Sequence, residues 1–361
     1  MVAHFYVVKS VVVTHFFAVK NVKWCYKRVR GGVYMYRYAI EELFRWKEKP
    51  NRKPIIIQGA RHVGKTWLMK EFGKKSYTHT VYINFKDNET MEDLFSYDLD
   101  TKRLITGMEL YSGQKIDPDN TLIIFDEVQE VPRALTSLKY FNENAPEYHI
   151  VCACSFMGIA LHQGTSFPVG KVDIMNLYPL SYKEFLLATK QTKQSNSLKD
   201  YYFVGGMPEA VQYFMTHNDY EGVRTIHKRI LLDYEHDFPR PKISKVWNSI
   251  PLYISNKTYE GKRSKGFDAA VMWLADCGLI YIVNRVRQVK APLKIYEDFN
   301  TFQLYLLDIG LLRCMAELDE HTLNKQYICQ QLMATEDVSI YCTDDTDFLI
   351  EKEEGIIPIR A

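Results

Sequence analysis

The chain has 361 residues, 47% hydrophobic and 25% charged, the balance of a globular protein with room for two or three domains. Its formal net charge is +2, but residues 1–34 hold six Lys or Arg and no Asp or Glu, which leaves −4 on residues 35–361. This argues against a chain-wide basic surface for nucleic acid and leaves room only for a local basic patch. The seven Cys are odd in number and form no C-x-x-C pair, which fits a reducing cytoplasm.

Residues 1–34 open with "FYVVKSVVVTHFFAV", rich in β-branched and aromatic residues. The basic cluster follows the apolar run rather than preceding it, and no small-residue cleavage site is clear, unlike a signal peptide. Lys9 and His15 interrupt the run, so it makes a poor spanning helix. Met35 begins a natural domain start, and residues 1–34 read as an upstream extension without a structural role, with a membrane-associated segment as the alternative.

An amphipathic helix is expected over residues 36–49. "KPIIIQGA" then gives a short buried strand, "GKTWLMKEFGKK" a helix and "TVYINFKD" a second strand. Residues 89–112 read as helical. "TLIIFDEVQ" is a third strand, "PRALTSLKYFNENAP" a helix with proline at its start, "YHIVCACS" a fourth strand and "KVDIMNLYPL" a fifth. Alternating strands and helices predict a mostly parallel sheet covered on both faces, with ligands beyond the C-terminal strand ends. Cys152 and Cys154 share one face of the fourth strand, and core thiols are the expectation, since two cysteines do not make a zinc site.

Past residue 190 the pattern changes. "QTKQSNSLKD" is linker-like, and residues 198–236 read as helical with a turn imposed at "GGMPEA". Residues 243–315 mix helices and strands. The last forty residues hold two short strand candidates joined by a charged turn at Lys352–Gly355.

The chemistry concentrates in three places. "GARHVGKT" at 59–66 fits the phosphate-binding pattern G-x-x-x-x-G-K-[ST], in the required strand–loop–helix context. Gly59, Ala60, Arg61, His62, Val63, Gly64, Lys65 and Thr66 would cradle the phosphates of ATP, with Lys65 on the β- and γ-phosphates and the Thr66 hydroxyl on Mg²⁺. About sixty residues on, "LIIFDE" ends in two acids. Asp126 would hold Mg²⁺ and Glu127 would activate water as a general base. Ser155, at the end of the fourth strand, is a candidate sensor that places the water at the γ-phosphate. The catalytic set is then Glu127, Lys65 and Ser155.

The runs "YRYAIEELFRWKEKPNRKPIIIQGARHVGKTWLMKEFG", "LIIFDEVQEVPRALTSLKYFNENAPEYHIVCACS", "TSFPVGKVDIMNLYPLSYKEFLLA" and "YFVGGMPEAV" together resemble a family of prokaryotic AAA-type ATPases with a C-terminal domain of unknown function. The resemblance covers most of residues 35–361. It implies an α/β P-loop NTPase core of AAA-like type with parallel sheet order 5-1-4-3-2 over residues 35–190, then a helical lid or connector over 191–242. A winged-helix-like domain would follow over 243–315, marked by "VWNSIP" and "WLADCGLIYIV", and a small, incomplete restriction-endonuclease-like α/β domain over 316–361. Gly59, Gly64, Lys65, Thr66, Asp126 and Glu127 match the family's ATP-site positions, and Ser155 its sensor.

Departures accompany the match. Residues 1–34 have no counterpart, Cys154 stands where a glycine is usual, and the segment around 252–266 is shorter. "HTLNKQYICQQLM" lacks an acidic stretch, and the chain ends at Ile359, Arg360 and Ala361 where an acid-x-Lys would continue. Asp347 alone remains as a nuclease-type ligand, so a truncated C-terminal domain without nuclease activity is expected.

The functional expectation is a Mg²⁺-dependent ATPase whose nucleotide state switches a partner or nucleic-acid contact. The alternatives are a nucleotide-binding remnant without turnover and a small-molecule kinase, which Glu127 beside Asp126 opposes. Expected partners are ATP, an unknown protein and a second copy of the chain. The stretch "KTYEGKRSK" reads first as a solvated charged loop; the alternative is a basic wing with Lys257, Lys262, Arg263 and Lys265 facing DNA phosphates. Arg133 is a candidate trans-acting cation by residue type only and Lys171 stands where an arginine is expected, so no arginine finger follows from the sequence.

Overall fold

The structure, a computed structural model, describes residues 35–155, 167–191, 195–255, 259–260, 265–336 and 338–361. The extension at 1–34 and, apart from the backbone of Tyr259–Glu260 and of Lys265, the basic stretch proposed for DNA lie outside the described residues.

The chain begins with helix α1 (Ala39–Lys47) and strand β1 (Ile55–Gln58), followed by α2 (Lys65–Ser76) and β2 (His79–Asn84). Then come α3 (Glu89–Tyr97), α4 (Thr101–Ser112), β3 (Thr121–Asp126), α5 (Pro132–Asn144), β4 (His149–Cys154) and β5 (Asp173–Asn176). All five strands are parallel, in the order β2-β3-β4-β1-β5. This is the expected 5-1-4-3-2 sheet read from its other edge.

Strand alternation divides the apolar residues between two cores. On β1, Ile55 and Ile57 face a core with α1 and α2, and Ile56 faces one with α3 to α5. On β3, Leu122 and Ile124 take the first side, Ile123 and Phe125 the second. Each such side chain, fully buried, contributes about 1.5–3 kcal/mol of hydrophobic stabilisation. Cys152 and Cys154 sit on the second face among apolar neighbours, and burial pushes the Cys152 thiol pKa up.

The register places Asn84 beside Asp126, and Gln58 between Cys154 and Asn176, at one edge of the sheet. The loop 59–66, Asp126, Glu127 and Ser155 all lie at or just past these strand ends.

Four helices come next: α6 (Tyr182–Thr189), α7 (Ser195–Val204), α8 (Pro208–His217) and α9 (Tyr220–His236). The turn between α7 and α8 needs its two glycines. Gly205 has φ +68°, and a Cβ on Gly206 would sit 2.1 Å from the Leu180 carbonyl oxygen. The buried Asp308 carboxylate accepts the Gly206 N–H at 2.6 Å and the Gln330 amide at 2.9 Å, pinning this turn to the far part of the chain.

That part comprises α10 (Pro241–Ser255), β6 (Tyr259–Glu260), α11 (Lys265–Asp276), β7 (Ile280–Val286), β8 (Glu297–Leu306), α12 (Ile309–Met315), α13 (Glu320–Thr335), β9 (Ile340–Cys342), β10 (Phe348–Lys352) and β11 (Gly355–Ile359). Its six strands form one sheet, β11-β10-β9-β7-β8-β6. The β10–β11 hairpin turns at Lys352–Gly355, as its charged sequence suggests. The parallel pairing of β7 with β9 joins strands from either side of residue 316 into this sheet. One apolar cluster runs without a break from Ile57 of the first sheet to Leu306 and Phe348 of the second.

Candidate functional site

The loop between β1 and α2 is shaped by close approach. Gly59 has φ +157°, and a Cβ there would lie 2.2 Å from the Leu177 carbonyl oxygen, so no other residue fits. Gly64 has φ +95° and caps α2, whose N-terminus begins at Lys65. His62 also adopts a left-handed conformation, φ +66°.

Groups outside the loop fix its backbone. The buried Arg37 guanidinium donates from Nη1 to the Val63 carbonyl at 2.9 Å, from Nη2 to the Tyr178 carbonyl at 2.6 Å and from Nε to Glu184 at 3.2 Å. The Tyr234 hydroxyl, at the end of α9, donates to the Arg61 carbonyl at 2.8 Å. Arg61 donates to both oxygens of Asp237 at 2.8 Å, and burial still holds that carboxyl pKa above its ordinary range against the pull of Arg61. His62 Nε2 lies 3.2 Å from an Asp233 carboxylate oxygen, and burial lowers the imidazole pKa against the pull of that carboxylate. A Cβ on Gly278, in the α11–β7 turn, would stand 3.3 Å from the Ala60 nitrogen.

Lys65 is buried, and its ammonium donates to the Gly59 and Ala60 carbonyls, each at 2.8 Å. Burial lowers its pKa to about 8, against the attraction of Glu127 and Asp126.

The two acids face different partners. Asp126, 3% exposed, accepts the Thr66 hydroxyl at 2.7 Å and the Tyr82 hydroxyl at 2.8 Å, both on Oδ2. Its Oδ1 is buried with no hydrogen-bond partner among the described residues. An unpaired buried carboxylate oxygen beside a threonine hydroxyl is a donor set that fits a hard divalent cation such as Mg²⁺. Glu127 adopts a left-handed backbone conformation, φ +52°. Its Oε1 accepts the Ser155 hydroxyl at 2.9 Å and its Oε2 the Gln129 amide at 2.6 Å.

Residues 51–186 match the family described as AAA domain, and residues 195–322 match that described as domain of unknown function (DUF8612). The chain carries an AAA-type P-loop ATPase domain. No curated protein sequence matches it. Among solved structures, a Walker-type ATPase of Pyrococcus abyssi aligns with TM-score 0.50 and 14% identity over 77% of this chain and 94% of that one. The Orc1 protein of Aeropyrum pernix in complex with DNA gives TM-score 0.31 and 9% identity over 77% and 91%. The RuvB Holliday junction branch migration motor of Thermotoga maritima gives 0.35 and 10% over 70% and 90%. At these identities the likeness concerns the fold alone.

In the AAA domain, the loop 59–66, Asp126, Glu127 and Ser155 converge on one strand-end edge, the set singled out in the sequence. Arg37, Asp233, Tyr234, Asp237 and Gly278 at the loop and Tyr82 at Asp126 were missed, because tertiary folding alone brings them there; Gln129, two residues from Glu127, was missed although its contact is local. Arg133 is turned aside, with Nε on the Phe95 carbonyl at 2.7 Å, and Lys171 pairs with Glu143 at 2.8 Å. Asp347, just before β10, pairs with Lys325 of α13 at 2.7 Å, and no group of three or more metal-ligating side chains occurs among the described residues. A cavity of about 410 Å³ opens beside the AAA domain's loop, lined by Gln58, Asn176, Tyr178, Cys277 and Tyr281 among others. No helix among the described residues is long and apolar enough to cross a membrane.

Proposed function

We propose that this chain binds ATP with Mg²⁺ on the loop 59–66, hydrolyses it, and uses the nucleotide state to change how the second sheet sits on the AAA domain, and so its contact with a protein partner. The division of the two acids carries the reading: Asp126 is held with Thr66, and Glu127 with Ser155.

Thr66 and Asp126 would hold the cation, which supplies charge neutralisation for the phosphates when bound. The loop N–H groups and the α2 N-terminus bind the phosphates, and Lys65 leaves the Gly59 and Ala60 carbonyls to meet them. Glu127 takes a proton from the attacking water. Ser155 and Gln129, donating to Glu127 Oε1 and Oε2, fix the base, and the second lone pair of each oxygen is left for the water's proton.

The coupling follows from where Lys65 is held. Its ammonium occupies the carbonyls of Gly59 and Ala60, the residues against which the Gly278 turn lies. When phosphate draws Lys65 away, the seat of that turn changes, and the adjoining cavity gives the turn room to shift. The test is phosphate release from Mg-ATP by the whole chain beside Lys65→Ala. The expected result is slow turnover that Lys65→Ala abolishes together with ATP binding. Wild type that binds ATP no better than Lys65→Ala supports instead a remnant that no longer uses nucleotide.

A further inference from the structure

Resting on the ATP-site reading above, we propose that Tyr82 is a positioning residue that aims the Asp126 carboxylate at the cation of the metal–nucleotide complex. Tyr82 lies on β2, the strand beside β3, and reaches across the strand ends to Asp126 Oδ2 at 2.8 Å. Thr66 donates to the same oxygen from the opposite element, α2, at 2.7 Å.

The placement of both donors on one oxygen matters. The terminal torsion of an aspartate is broad, so a single hydrogen bond leaves the carboxylate free to swing. Two donors from two elements fix its plane. Oδ2 is then satisfied, and Oδ1 is left buried without a donor. A group in that condition is costly unless something positive completes it. Thr66 shows the same preparation: its hydroxyl has one proton, which goes to Asp126, so its lone pairs are left for a hard cation.

Tyr82 is itself held. The Lys70 ammonium lies 3.7 Å from its ring centroid, and the ring packs against the core shared with α2. Removing only the hydroxyl therefore keeps the ring in place and frees Asp126 to rotate. Loss of such an outer hydrogen bond to a metal ligand typically costs 10–100-fold in metal affinity.

The test uses the whole chain and its Tyr82→Phe variant, titrated with a fluorescent ATP analogue in EDTA and across a Mg²⁺ series. The expected result is metal-free affinity within about twofold of wild type, with the Mg²⁺ concentration for half-maximal response raised about tenfold. An unchanged Mg²⁺ midpoint overturns the proposal. Equal weakening with and without Mg²⁺ also overturns it, because that is the signature of a packing role. If wild type itself shows no Mg²⁺ response, the ATP-site reading falls and takes the Tyr82 proposal with it.

Discussion

Lys65 shows how burial tunes a phosphate-binding lysine. With the loop closed on its ammonium, desolvation brings the pKa to about 8, so the charge that ATP needs is present only below that pH. Bound phosphate favours the protonated amine, so binding takes up a proton once the free protein has lost it. ATP affinity should be flat below about pH 8 and fall by up to about tenfold per pH unit above it. A calorimetric titration series from pH 6.5 to 9.5 checks this, and affinity unchanged to pH 9.5 would count against the Lys65 contact. The residues of this centre were legible in the sequence where they are contiguous or follow a strand, as Lys65, Thr66, Asp126, Glu127 and Ser155 do. Arg37 and Tyr82 were not, because a lone arginine before a helix and a tyrosine within a strand carry no local pattern pointing to the loop.

At the scale of elements, the strand–loop–helix unit holds its shape through α9 as much as through its own glycines. The final turn of α9 brings Tyr234 to the Arg61 carbonyl, with Asp233 and Asp237 beside it on His62 and Arg61. Tyr234 is fully buried, so Tyr234→Phe keeps its packing and deletes one hydrogen bond to the loop. The expected cost is about 1 kcal/mol in denaturant unfolding. Since the loop is what loosens, ATP affinity should fall about fivefold in a nucleotide titration, and a stability loss with wild-type affinity would show that α9 does not shape the phosphate site. Apolar runs and helix-starting prolines announced the individual elements. The pairing of β7 with β9 was hidden, because it joins short strands far apart in the chain whose burial pattern names no partner.

For the whole molecule, the loop 59–64 is a meeting point. Gly59 and Ala60 carry the Gly278 turn, Arg61 and His62 are gripped by α9, and Val63 is tied to Arg37. The apolar core that begins beneath this loop continues into the second sheet. The phosphate loop therefore touches elements more than 200 residues further along the chain, which is why we propose the second part as the receiver of the nucleotide state. Hydrolysis of ATP at this centre with Glu127 as the base is separated from binding alone by single-turnover cleavage of Mg-ATP by wild type and Glu127→Gln. Glu127→Gln is expected to bind Mg-ATP as wild type does and to cleave it about 10²–10⁴-fold more slowly; cleavage by Glu127→Gln at the wild-type rate, or no cleavage by wild type, would overturn the assignment of Glu127.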